Sequence, residues 1–389
     1  MVSGNLWLRS VCAVLLVGVV WGLARERLPN APESAQAQWP EHALGFDFSK
    51  LEKVEQGEIP MPPETPAAHA SNLLAMPASS PAALTAFWFA GDRESAPNVQ
   101  IAASQWDKKT QQWTPARFVV NRHTMGAELG FGLRRLGNPV AWLDGQGRIH
   151  LFVVATGWGG WAASRILHLR QASASQALQE LSFEPLGVLP LSWLWNTSFL
   201  VRNAPLPLQD GGMLLPVHFE LGLKYAAAVR FDRDGAMLGV ERISAQWDRL
   251  QAALVMQSPQ DWLALMRVQR PQGKIAASMT QDAGAHWSDT ADLPLDNPDS
   301  ALAGLGLASG HMVLAFNPST SGRTSLALSH SSDGKTWKLL TMLEQGQGAD
   351  EYSYPALAWS GGQLWVSYTV DRKRIVWQRF APAASGVKP

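Results

Sequence analysis

Two short segments in the last third of the chain carry almost the same pattern. One is Thr280-Gln281-Asp282-Ala283-Gly284-Ala285-His286-Trp287, and the other is Ser329-His330-Ser331-Ser332-Asp333-Gly334-Lys335-Thr336-Trp337. The pattern suits a tight hairpin. The Asp carboxylate accepts backbone N–H groups inside the turn, the Gly takes a positive φ, and the Trp folds back onto the strands. The second copy is one residue shorter between Asp and Trp. Trp287 and Trp337 lie 50 residues apart, the length of one four-stranded propeller blade.

The rest of the chain fits this unit. From Ile59 to Phe380, short β runs such as Leu84–Phe89, Ile149–Val154, Met213–Val217, Met312–Phe316 and Gln363–Tyr368 alternate with Gly, Asp and Asn turns. Weaker turn signals stand at Asp107 to Trp113, at Asp144-Gly145-Gln146-Gly147 and at Asp232-Arg233-Asp234-Gly235. At a 50-residue period this region holds about six blades. Trp, with 18 copies against 4 Tyr, suits blades pinned by buried indoles. Formal net charge is zero, which gives no reason to expect a nucleic-acid partner.

The single cysteine, Cys12, lies in an N-terminal apolar run, so a disulfide or thiol nucleophile in the main domain is excluded. No Cys/His cluster has zinc spacing, no Gly-rich phosphate loop stands out and no calcium-loop motif is present. The sequence thus calls for no cofactor and no metal. Arg9 precedes the apolar run Val11 to Ala24, and Arg25, Glu26 and Arg27 follow it. Residues 1–25 read as a signal peptide or a membrane anchor. Residues 26–58, rich in Pro, Ala and Gln, read as a flexible linker, 59–381 as an all-β propeller, and 382–389 as a tail. The expected location is outside the cytoplasm, periplasmic or at the cell surface, with the N-terminal run meeting the membrane.

The two hairpin signatures resemble the Asp box of sialidase-type propellers. Further segments resemble the same family in order and spacing. They are Phe87-Trp88-Phe89-Ala90-Gly91-Asp92-Arg93-Glu94-Ser95-Ala96-Pro97, Gly137-Asn138-Pro139-Val140, Leu214-Leu215-Pro216-Val217-His218-Phe219-Glu220, Leu265-Met266-Arg267 and Glu351-Tyr352-Ser353-Tyr354-Pro355, with Arg323 ahead of the second signature. The resemblance implies a six-bladed sialidase-like propeller and a carbohydrate ligand. In that family three arginines bind the substrate carboxylate, a Tyr paired with a Glu is the nucleophile, and an Asp is the acid/base.

Carried over by position, Arg267 and Arg323 match the second and third arginines, Tyr352 the nucleophile, and Arg93 an auxiliary arginine. Three positions depart. Glu58 stands where the first arginine precedes Ile-Pro, Asn98 stands at the acid/base Asp, and Gln251 stands near the position of the activating Glu. An amide transfers no proton as a carboxyl does. Glu94 and Glu220 are the candidate acids, and His69 is expected to face the central funnel. Tyr354, two residues from Tyr352, is an alternative funnel residue. Trp158-Gly159-Gly160-Trp161 and Trp193-Leu194-Trp195 read either as glycan platforms or as blade packing. Three functions follow: a glycoside hydrolase of altered specificity on an acidic or modified sugar, a non-catalytic glycan-binding propeller, or a uronate lyase using His69 or Tyr352 as base.

Overall fold

The computed structural model describes residues 7, 10–19, 35–40, 46–173, 175–270 and 272–384. Its strands form six antiparallel sheets of four or five strands. The inner strands are Ala67–Ala75, Arg135–Leu143, Phe199–Val201, Arg249–Met256, Ala303–Gly306 and Tyr352–Ser360, here taken as heading blades 1 to 6. Second strands such as Ile149–Thr156 are buried along their whole length. Both faces of such a strand are covered, which explains the continuous apolar runs in place of alternation.

The buried apolar residues fall into six clusters, each shared by two successive blades and including the pair formed by blades 6 and 1. The ring is therefore closed and six-bladed. At the join, Trp106, Trp113, Trp365 and Trp377 meet edge to face, except for the tilted pair Trp365–Trp377, with centroids 4.9 to 6.4 Å apart. Trp88, Trp142, Trp262 and Trp359 are likewise buried within the blades.

Closure corrects the sequence-based boundaries. Phe46–Glu58, read as linker, is the outer strand of blade 6, paired antiparallel with Arg374–Ala384. The same pairing extends order through residues 382–384, read as tail. Polar residues dominate this strand because it is an edge, and one inward residue, Phe48, anchors it against Trp359. Ala37 also bridges to Leu208, and its N–H donates to Pro259 O, so part of the expected tether lies against blades 3 and 4. Of the N-terminal apolar run, residues 20–24 lie outside the described residues. Among the described residues no helix is long and apolar enough to cross a membrane.

Register defines two faces. Ala67 pairs with Gly91 and Tyr352 with Val370, so inner strands begin where second strands end. Loops joining second to third strands, and those joining blades, therefore share one face with the mouth of the central funnel. Both Asp boxes join third to outer strands on the opposite face. There Asp282 accepts from His286 N and Asp333 accepts from Lys335 N and Thr336 N. Gly284 and Gly334 hold φ of 84° and 72°. The signatures that reveal the fold stand away from its funnel.

Candidate functional site

The funnel wall carries one defect in three inner strands. Ala70 in blade 1, Gln251 in blade 4 and Tyr354 in blade 6 have φ of 56°, 52° and 54°. Each lies where strand register slips, between His69 and Asn72, Leu250 and Ala253, and Ser353 and Ala356. A bulge with one left-handed residue re-aims side chains out of the ladder. The conformation costs an L-residue roughly 1–2 kcal/mol, and strain of this kind clusters at functional sites.

The bulge at Tyr354 separates two tyrosines that plain alternation would put on one face. Tyr352 packs against the apolar cluster between blades 5 and 6, and Tyr354 against that between blades 1 and 2. The Tyr354 ring centroid is 4.3 Å from that of His69, 5.0 Å from the Arg202 guanidinium and 6.0 Å from that of Arg323. Tyr352 has Glu344, Asp350, Asp371 and Arg374 as charged neighbours. Burial and the three acids push its phenol above the ordinary value, the reverse of what a nucleophile needs.

Arg202 crosses the hub from blade 3. Its guanidinium donates to Ser71 O at 3.3 Å and Pro355 O at 2.7 Å, so one side chain ties blades 1, 3 and 6. It is fully buried, and burial lowers its pKa to about 10, which still leaves it charged at neutral pH. His69 is buried beside it. Burial first, then Arg372, Arg202 and Arg323, hold its pKa well below the ordinary value, so the imidazole is neutral. Its Nδ1 is buried without a hydrogen-bond partner.

Around this hub runs a chain of ion pairs. Arg267 Nε donates to Asp299 Oδ1 at 2.5 Å, and its Nη1 donates to Gln251 Oε1 at 3.3 Å. Burial opposes the Arg267 charge, but the Asp299 hydrogen bond with nearby Tyr354 and Glu220 outweighs it and raises the pKa. Arg323 donates to Glu351 Oε1 and to Asp299 O, both at 3.3 Å. Arg372 joins Glu351 Oε2 at 3.0 Å to Glu94 Oε2 at 2.5 Å. Burial would raise the Glu351 carboxyl, but Arg372, Ser353 and Arg323 keep it below its ordinary value. Glu220 Oε1 lies 3.1 Å from His218 Nε2, a close contact that is not aligned as a hydrogen bond. Burial works against its charge, yet His218, Arg267 and Lys224 hold its pKa down.

The structure thus brings Arg267, Arg323, Gln251 and His69 to one hub, with Glu94 and Glu220 reaching it through Arg372 and Arg267. It does not bring the Tyr352 phenol there. Arg93 and Asn98 are exposed on the loop after the second strand of blade 1, where Asn98 Oδ1 accepts from Asp92 N at 3.4 Å. Glu58 pairs with Arg374 at 3.2 Å on the rim of blade 6. Sequence reasoning missed Arg202, Asp299, Glu351 and Arg372. Arg202 shows only as a lone charge directly after the apolar run Phe199–Val201, and Arg372 as part of the Asp371-Arg372 turn. Among the described residues no group of three or more His, Cys, Asp or Glu is placed to hold a metal ion.

A BNR repeat-like domain matches residues 82–366. No curated protein matches the chain. Among solved structures, the Hadza microbial sialidase Hz136 is similar at TM-score 0.66 and 16% identity, over 81% of this chain and 66% of that one. The Trypanosoma rangeli sialidase bound to the inhibitor DANA is similar at TM-score 0.63 and 12% identity, over 85% of this chain and 59% of that one. A protein of unknown function from Dyadobacter fermentans gives TM-score 0.63 and 13% identity, over 85% of this chain and 99% of that one. The chain spans about two thirds or less of the length of these sialidases and nearly all of the Dyadobacter protein. With six closed blades, two Asp boxes and a family model covering most of its length, the chain belongs to the sialidase-like BNR-repeat propeller family.

Proposed function

We propose that this protein is an exported glycoside hydrolase acting on an acidic or modified sugar, with catalytic groups altered from those of sialidases. The observation that carries this reading is the Arg323 guanidinium 6.0 Å from the Tyr354 ring, with Arg267 tied to Arg323 through Asp299. Two guanidiniums give a planar, multidentate grip on a carboxylate. Tyr354 then stands at the reacting carbon as nucleophile or proton relay. Glu94, on the blade 1 loop, is the acid/base group: paired with Arg372 it rests as a carboxylate, and it takes up a proton from water before giving it to the leaving oxygen. Gln251 cannot take the Tyr354 proton. The neutral His69 ring packed on Tyr354, with its Nδ1 unpartnered, is the group we assign to take it in its place.

The test is incubation with sialosides, uronate polysaccharides and exopolysaccharides, with products read by mass spectrometry. A product with added water, absent in Tyr354→Phe and present in Tyr352→Phe, supports the proposal. An unsaturated product absorbing in the ultraviolet would make the protein a lyase. A second reading, a non-catalytic glycan-binding propeller, is favoured by Gln251, whose side-chain amide is occupied with Arg267, and by Asn98. Saturable binding of one glycan without any product would establish it.

A further inference from the structure

Three loops on the funnel face, at blades 2 and 3, hold large apolar side chains in solvent. Trp158 is 80% exposed, Leu194 78%, Leu223 58% and Trp195 55%, and Trp193 and Leu221 stand beside them. The loops are neighbours: Gly159, Ala162, Leu194, Trp195 and Leu221 line one cleft of about 710 Å³ with Arg165 on its wall. The tips are rigidly presented. Asn196 Oδ1 accepts from Leu191 N and Ser192 N, its Nδ2 donates to Leu189 O, and Ser192 Oγ accepts from Trp195 N. Ser198 N donates to Ser164 O at 2.7 Å and stitches two of the loops together. A contiguous exposed apolar patch gains the folded monomer nothing and marks a contact surface.

Charge indicates what the contact is. Residues 157–163 and 189–198 contain no charged side chain. Cations stand against the indoles: the Arg134 guanidinium lies 3.6 Å from the centroid of the Trp158 ring, Arg242 lies 4.1 Å from that of the Trp247 ring, and Arg165 lines the cleft. Leucines, indoles and arginines together on one rim match the chemistry of a bilayer surface, where acyl chains, interface and phosphates lie within one side-chain length of each other. A sugar chain stacks on indole faces but has no use for Leu194 or Leu223, and one face of Trp158 is already covered by Arg134.

We propose that this rim is a docking site for a lipid surface bearing anionic headgroups. It is independent of the chemistry at the hub and of the N-terminal apolar run. Trp161 Nε1 donates to Ser95 Oγ at 3.1 Å, which fixes the rim to the loop carrying Arg93 and Glu94. A docked molecule therefore holds one lip of its funnel at headgroup level, where membrane-attached substrates lie.

Residues 35–389 retain every strand of the closed ring, from Phe46 to Ala384, and so fold without the apolar run. This chain is sedimented with vesicles of phosphatidylcholine alone and of equal parts phosphatidylcholine and phosphatidylglycerol. Binding to the mixed vesicles with a blue shift of Trp emission is expected, and weaker binding to the neutral ones. Leu194→Ser with Trp195→Ser lowers the partition at least about tenfold and shifts the melting temperature little, because both side chains lie mostly in solvent. Arg267→Ala leaves partition unchanged and keeps this test separate from glycan binding. Failure to sediment with either vesicle overturns the proposal, as does equal partition of the double variant. A rim-dependent dimer in light scattering, or rim-dependent retention on polysaccharide, without vesicle binding also overturns it.

Discussion

The rings of His69 and Tyr354 meet at the hub with centroids 4.3 Å apart and planes tilted by 56°. The imidazole is neutral, buried and short of one partner. Tyr354 is therefore the phenol beside a neutral imidazole and the Arg202 and Arg323 guanidiniums, whereas Tyr352 stands among Glu344, Asp350, Asp371 and Arg374. Tyr354→Phe is expected to lower kcat by about 10²–10⁴, whereas Tyr352→Phe leaves turnover essentially unchanged. Steady-state kinetics on any substrate found by product screening decides this. Equal losses in both variants would return the role to Tyr352.

Arg267 and Arg323 are each held by a carboxylate of the ring and one further acceptor, which leaves more N–H groups on each fork than these bonds use. Arg267→Ala and Arg323→Ala should each weaken binding of a carboxylated sugar by about 10–100-fold, the loss of a charged hydrogen bond. Lysine in either place restores charge without the fork and recovers only part of the affinity. Calorimetry against the sugar and its methyl ester separates the effects. An equal loss for the neutral ester would mean that the arginines shape the funnel but do not grip an anion.

The ring and its repeat were legible because two hairpins need specific atoms: a carboxylate for the turn N–H groups, a glycine at positive φ and an indole to pack. The closing strand was not, because Phe46–Glu58 sits at an edge and shows solvent-like composition, with Phe48 as its inward anchor. Arg267 and Arg323 were legible from motifs. Tyr354 was only an alternative, since a bulge breaks the period-two reading that would otherwise place it with Tyr352. Arg202 answers to backbone carbonyls of two distant blades, a partnership that leaves no local trace.

The Asp-box glycines are required by space as well as by φ. A Cβ on Gly284 would lie 2.8 Å from the Trp262 ring, and one on Gly334 would lie 2.5 Å from Leu263 Cδ1. Gly284→Ala and Gly334→Ala should each destabilise by roughly 2–4 kcal/mol, strain and overpacking together. Urea unfolding measures it. Since both lie on the face away from the funnel, affinity for any glycan should survive in the folded fraction. A neutral effect on stability would mean the hairpins tolerate ordinary turns.

Blade 2 contains a buried relay. Asp144 Oδ2 lies 3.2 Å from His150 Nε2, and His150 Nδ1 lies 2.7 Å from His168 Nε2, with His168 stacked on Phe152. Burial first, then His150 and Arg170, lower the His168 pKa from 6.5 to about 3. Below 6.5 the unfolded chain binds a proton that the folded one refuses, so this contribution is complete above 6.5 and is lost as pH falls toward 3. The slope reaches about 1.4 kcal/mol per pH unit for one histidine. His168→Gln keeps a polar partner for His150 and should flatten stability against pH by about one proton between pH 6 and pH 4. Denaturant midpoints across that window test it, and an unchanged slope would place the acid sensitivity elsewhere.

The ring is closed by the N-terminal strand, so its loss should be far worse than the loss of what precedes it. Phe48 is buried against Trp359 and His311. Glu55 and Glu58 pair with Arg379 and Arg374, but such partly exposed pairs contribute little. Most of the hold comes from the backbone ladder that the thirteen residues Phe46–Glu58 make along Arg374–Ala384. Removing residues 1–58 strips that ladder, leaves the outer edge of blade 6 bare and invites edge-to-edge association. Removing residues 1–45 keeps it and, among the described residues, breaks the contacts of residues 35–40 with blades 3 and 4. The shorter truncation should keep the association state of the full chain with a slightly lower melting temperature, and the longer one should aggregate or melt at least about 10 °C lower. Light scattering and thermal unfolding distinguish them. Equal behaviour would show that blade 6 holds its three remaining strands without the clasp.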